Sequence, residues 1–218
     1  MAEKLHYNTV SPLLLSILRQ LMAASEFAGF RLVGGTGLSL LRGHRQSVDI
    51  DLFTDAAYGS VNFKTIDAYL RSSFSCVESS EHAIEGMGRS YYLGHDKDNL
   101  IKLDVYYTTD PFVWPALKKR GLRLASTEEI IAMKLDVISR NGRKKDFWDI
   151  HELIGDYSLG EMLAFHEKRY PDTHDTAEIT KKLRDFSKAN YDFDPDCLRG
   201  KYWELIQLDL IDFIEKGM

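Results

Sequence analysis

The chain has 218 residues, 44% of them hydrophobic and 28% charged, which suits one globular domain or two small ones and excludes a fibrous or disordered chain. A formal net charge of −5 excludes a protein that coats nucleic acid by charge alone, although it leaves room for a local basic patch. Two distant cysteines, Cys76 and Cys197, exclude a disulfide framework and a zinc ribbon and point to a reducing compartment. With neither a charged-then-apolar leader nor an apolar run of bilayer length, the chain reads as cytoplasmic.

In chain order, apolar residues at helical spacing (Leu14, Ile17, Leu18, Leu21) predict an opening helix over 11–27, with Ser11 as N-cap and Pro12 at the first helical position. Phe30 to Val33 predicts a short strand stopped by Gly34 and Gly35, and Val48 to Phe53 predicts a second strand, with a short helix between them. After a helix over 63–70, three segments read as extended, 74–77, 90–93 and 100–107, the last two joined as a hairpin by the turn-rich GHDKDN. Beyond Pro115 the alternation is expected to give way to helices. Ser126 and Glu129 form a capping box for a helix ending near Asn141, and further helices are expected from about Asp146, over 159–169, over 176–187 and over 202–214. The fold class is therefore α+β: a small mixed domain over residues 1–115, followed by a helical domain over 116–218.

The chemistry concentrates in VGGTGLSLLRGHRQSVDIDLF. Strand alternation puts Asp49 and Asp51 on one face, where two adjacent anions repel unless a cation joins them. Hard carboxylate oxygens suit magnesium with a phosphate substrate. Gly34 and Gly35 would let backbone amides approach that phosphate at the start of the following helix, with the Thr36 hydroxyl as one more donor and Arg45 as a further phosphate contact. The sequence is not a P-loop, because GGTGLS lacks the GK[ST] ending. Asp104 lies on a strand face opposite Ile101, Leu103 and Val105; if its strand neighbours the first acids, three carboxylates can hold two metal ions. Residues 118–146 carry nine lysines and arginines against four acids, an excess that suits a triphosphate or an RNA backbone. Arg143, Lys144 and Lys145 read equally well as a solvated loop, and the aromatics of FWDIHEL as core.

Val33-Gly34-Gly35, then Asp49-Ile50-Asp51-Leu52 and Leu103-Asp104-Val105, resemble the polymerase β-like nucleotidyltransferase superfamily. More narrowly, GGTGLSLLRGHRQSVDIDLF together with EEIIAMKLDVISRNGRKKDFWDIHEL is similar to the AbiEii/AbiGii toxin nucleotidyltransferases. The resemblance covers roughly residues 30–155. It implies a palm with a mixed sheet and flanking helices, followed by a helical C-terminal domain that carries Lys134 and Asp146. It casts Gly34, Gly35, Thr36 and Lys134 as nucleotide-binding, beside Arg45 from its place near the glycine turn, and Asp49, Asp51 and Asp104 as ligands of two Mg2+ ions, with Mn2+ as a substitute. Lys134 becomes a phosphate-contacting cation and Asp146 a catalytic or lysine-orienting acid, although Asp146 also reads as a helix cap. The implied activity transfers a nucleotide from a nucleoside triphosphate to an acceptor hydroxyl with release of pyrophosphate. RNA, and tRNA in particular, is the implied acceptor, and the implied setting is a toxin with an antitoxin protein as partner and no membrane. The alternatives are a small-molecule or protein acceptor, or a nucleotide-binding module without turnover.

Overall fold

In a computed structural model of the chain, residues 4–79, 86–108 and 110–217 are described. The Ser11 hydroxyl accepts from the Leu14 amide at 3.0 Å and Pro12 occupies the first turn, so helix α1 (Pro12–Ala23) begins where its cap demands. Strand β1 (Arg31–Leu32) leads into helix α2 (Gly34–Arg42), and β2 (Asp49–Thr54) follows. Helix α3 (Phe63–Ser73), capped by Asn62, precedes β3 (Cys76–Ser79), β4 (Gly88–Gly94) and β5 (Ile101–Tyr107).

Helical patterning does not begin at Pro115 as expected. Two more strands, β6 (Leu117–Lys119) and β7 (Leu122–Leu124), come first, so the change from strand to helix falls after Leu124. They are three residues each and rich in lysine and arginine, too short to display alternation. Their joint is nevertheless a hairpin turn in which Arg120 (φ 52°) and Gly121 (φ 82°) both take the left-handed conformation. The Arg123 side chain fixes this hairpin in place by donating to the carbonyls of Phe30, Met22 and Phe27 at 2.8–2.9 Å.

The described strands form one sheet in the order β3-β4-β5-β2-β1-β7-β6. It is mixed: β2 runs parallel to β5 and β1 parallel to β7, while the remaining neighbours are antiparallel. The helices that follow are α4 (Thr127–Ser139), α5 (Lys144–His151), α6 (Leu159–Arg169), α7 (Thr176–Lys182) and α8 (Trp203–Gly217). One core lies between a sheet face and α1 and α3, and contains Leu14, Leu18, Ile50, Leu52, Ile66, Leu70, Leu103 and Val105. A second core joins Val33 and Leu38 to the C-terminal helices through Ile130, Leu135, Phe147, Trp148 and Trp203. Each fully buried aliphatic side chain contributes about 1.5–3 kcal/mol relative to exposure. Because β2 and β5 alternate buried and part-exposed positions, Ile50, Leu52, Leu103 and Val105 enter the first core, while the aspartates share their face with Phe53, which packs against the second. No helix of the described residues is long and apolar enough to cross a membrane.

Candidate active site

Between the two cores opens a cleft of about 410 Å³, bordered by Gly34, Gly35, Asp49, Asp51, Asp104 and Lys134 among others. The parallel register of β2 and β5 sets Asp51 directly opposite Asp104, with Asp49 two residues away on the same face. Gly34 stands at φ 65°, a conformation that favours glycine. A Cβ there would lie 2.6 Å from Asp51 Oδ2, so the start of α2 touches the carboxylates only because it lacks a side chain. The residue before it, Val33, supplies no side-chain cap. The first-turn amides of α2 thus keep their positive end turned to the cleft, an arrangement suited to an anion.

Burial, with Asp104 and Asp49 beside it, raises the Asp51 pKa to about 6. Two lysines offset this negative charge. Lys102 Nζ lies 2.5 Å from Asp104 Oδ2, and Lys145 Nζ 3.6 Å from Asp49 Oδ2. Burial, followed by repulsion from Arg143, lowers the Lys145 pKa despite Asp49.

Lys134 descends from α4 into the same wall and is 6% exposed. Its ammonium contacts Asp146 Oδ1 at 2.6 Å and Asp149 Oδ2 at 2.8 Å. Burial opposes its charge, but Asp149 and Asp146 raise its pKa above the ordinary lysine value. Asp146 does two jobs, since its other oxygen accepts from the Arg143 amide at 2.9 Å and closes the N-terminus of α5. Behind them Asp149, fully buried, takes Arg45 Nε at 2.6 Å, Arg45 Nη2 at 2.8 Å and His44 Nε2 at 2.8 Å. Burial alone would raise its pKa; Lys134 and Arg45 instead hold it well below the usual carboxylate range.

The expected site residues divide in two. Gly34, Gly35, Asp49, Asp51, Asp104, Lys134 and Asp146 all border the cleft. Thr36 and Arg45 do not reach it. Thr36 is 1% exposed and its hydroxyl pairs with Ser47 Oγ at 2.7 Å and with the Asp49 carbonyl, because the helical turn rotates it towards β2. Arg45 is 3% exposed and committed to Asp149. Thr36→Val, which keeps shape but leaves Ser47 without that partner, is expected to cost about 1–3 kcal/mol, read as a lowered melting temperature that Thr36→Ser restores. Of the basic residues over 118–146, Lys134, Arg140, Arg143 and Lys145 border the cleft; Arg123 braces the sheet, and Lys144 pairs with Asp194 at 2.8 Å. Sequence reading missed Asp149, Lys102 and the contact of Lys145 with Asp49. The signal for Asp149 was its spacing of three from Asp146, which places both on one helix face.

The donor set fits a hard divalent cation: Asp49, Asp51 and Asp104 offer carboxylate oxygens, and Asp104 Oδ1 is buried without a hydrogen-bond partner. Among the described residues no three such groups converge on one point; Asp104 and Asp49 are turned to lysines instead.

A helix N-terminus thus stands against strand-borne carboxylates on a mixed sheet, with a lysine delivered from the helices behind. The fold is similar to that of JHP933 from Helicobacter pylori (TM-score 0.59, 20% identity, covering 94% of this chain and 88% of that one). It recurs in MenT4, a nucleotidyltransferase toxin from Mycobacterium tuberculosis (TM-score 0.53, 15% identity, 90% and 83%). In sequence the chain is 29% identical over 188 residues to an uncharacterised protein of Aquifex aeolicus, covering 82% of each. The model of the nucleotidyl transferase AbiEii toxin family, of type IV toxin–antitoxin systems, matches residues 16–212, and the chain belongs to that family. Membership implies a nucleoside triphosphate as substrate, a divalent metal and a cognate antitoxin.

Proposed function

We propose that the protein transfers a nucleoside monophosphate from a magnesium–nucleoside triphosphate to a hydroxyl of RNA, with tRNA as the favoured acceptor, as the toxin of an antitoxin-controlled pair. The observation that carries this reading is the shared cleft: the open start of α2 and Asp49, Asp51 and Asp104 border one space, with Asp51 and Asp104 opposite each other in the parallel register of β2 and β5. The acceptor hydroxyl gives its proton to solvent, its oxygen forms a bond to the α-phosphorus as the bond to the β-phosphate oxygen breaks, and pyrophosphate departs. The α2 amides at Gly34 and Gly35 bind and orient the triphosphate. Lys134, held charged by Asp146 and Asp149, offsets the negative charge that grows on the departing group, with Arg143 and Lys145 on the same rim. Asp49, Asp51 and Asp104 would hold two Mg2+ ions, which supply activation of the acceptor hydroxyl and neutralisation of pyrophosphate. Lys102 and Lys145, which contact Asp104 and Asp49, would compete with these ions for the same carboxylates.

The test incubates the protein with Mg2+, each labelled nucleoside triphosphate in turn and total RNA, beside Asp49→Ala/Asp51→Ala. The expected result is Mg2+-dependent label in a tRNA-sized band with one preferred base, absent from the variant. Label appearing only on protein or on a small hydroxyl compound would replace the acceptor assignment. Nucleotide binding with no pyrophosphate release in any mixture would replace catalysis with nucleotide sensing.

A further inference from the structure

Next to the cleft, the chain between α7 and α8 runs as a strap whose side chains alternate. Asp192 accepts from the Lys144 amide at 2.9 Å, and Asp194 pairs with the Lys144 ammonium at 2.8 Å. Tyr191 and Phe193, between and beside these aspartates, point away and are 92% and 98% exposed. The strap itself is firmly held. Asn190 accepts from Trp203 Nε1 at 2.7 Å, and backbone bonds join Gln46 N to Asp196 O and Leu198 N to His44 O at 2.8 and 2.9 Å. Two aromatic rings on an anchored backbone, each almost wholly in water, form an exposed apolar feature that marks a binding surface.

Its position indicates what it binds. Asp192, Phe193 and Pro195 border a shallow recess whose other wall is Arg143 and Lys145, and these two cations also border the catalytic cleft. The recess therefore continues into the cleft across a pair of positive charges, one of which lies 3.6 Å from Asp49. The Lys144 ammonium offsets the charge of Asp194, while Asp192 takes only the Lys144 amide; Asp196, beyond Pro195, is exposed. Aromatic faces beside cations that track towards a reaction centre are the arrangement that holds single-stranded nucleic acid, the rings stacking bases and the cations contacting phosphates.

Resting on the nucleotidyltransfer reading above, we infer that Tyr191 and Phe193 are a stacking platform for the unpaired 3′ end of the acceptor RNA, and that Arg143 and Lys145 carry its phosphates from the platform to the cleft. The acceptor is thus selected for a single-stranded end rather than for a duplex.

The experiment measures fluorescence anisotropy of labelled RNA hairpins with a four-nucleotide 3′ overhang and with a blunt end, binding to the full chain and to Tyr191→Ala/Phe193→Ala, Tyr191→Phe and Arg143→Gln. The wild type is expected to prefer the overhang. The double alanine variant should lose at least about tenfold in overhang affinity for each base unstacked, while its magnesium–nucleotide affinity and its salt slope stay unchanged. Tyr191→Phe should retain binding, and Arg143→Gln should flatten the salt slope by about one charge. Equal binding of blunt and overhang RNA, undiminished binding by the double variant, or no RNA binding, as a protein acceptor would give, each overturns the platform. Transfer to RNA with an unchanged KM in the double variant overturns the platform and leaves the activity standing. Ring-dependent overhang binding by a protein that transfers nothing overturns the activity and supports the platform.

Discussion

Asp51→Asn is expected to abolish nucleotidyl transfer and, in the same protein, to raise the melting temperature. Loss of one of the three carboxylates that would hold the metal should reduce turnover by at least about a thousandfold, about 4 kcal/mol in the barrier. The gain in stability follows from charge. Asp51 titrates in the folded chain at about 6 against an ordinary 3.8, so between those values the folded state holds the proton that the unfolded state has released. Stability therefore falls as pH rises through that window, and the penalty is complete above about pH 6. Asparagine removes the charge, so in chelator-treated protein at pH 7–8 the variant should gain about 1–3 kcal/mol, or roughly 3–8 °C for a domain of this size. At pH 4 the gain should vanish. A variant no more stable than wild type at pH 8 would show that Lys134 and Lys145 already neutralise the cluster.

Asp149 behaves in the opposite sense. Asp149→Leu leaves Arg45 buried without its carboxylate and takes one of two from Lys134, at an expected cost of about 3–5 kcal/mol. Thermal unfolding should drop by about 10 °C, and transfer should fall with it as Lys134 loses its alignment. Because the folded pKa of Asp149 lies well below 3.8, its contribution is complete above that value and is lost as pH falls through the folded pKa. Adding Arg45→Met to Asp149→Leu removes the stranded cation and should recover a large part of the stability without recovering activity. Strictly additive losses in the double variant would mean that the two side chains do not act as a unit.

These two aspartates also mark what was legible in the sequence. Asp49, Asp51 and Asp104 declare themselves through a period of two, and the structure sets all three along the cleft in the register of β2 and β5. Local pattern carries that far because a strand face depends only on near neighbours. Arg45 looked like a phosphate contact because it follows the glycine turn, yet its partner is 104 positions away, and no local rule reveals such a pair. Thr36 carried the right chemistry and the wrong direction: two residues into a helix, its hydroxyl is turned towards β2. Asp149 was concealed among the aromatics of FWDIHEL, where a buried acid reads as part of an apolar core. The hairpin of β6 and β7 escaped because three-residue strands bearing Lys118, Lys119 and Arg123 display no alternation, although they complete the sheet beside β1.

The pairing of β1 with β7, and of Arg45 with Asp149, means that the cleft and its support are distributed along the order of synthesis. A nascent chain exposes its glycine turn and all three sheet carboxylates well before it supplies Lys134, Asp146 or the buried anchor for Arg45. Closure of such distant contacts comes late in folding. A chain that stops before residue 134 therefore carries the glycine turn and the three sheet carboxylates without Lys134 and Asp146, which border the same cleft in the complete fold.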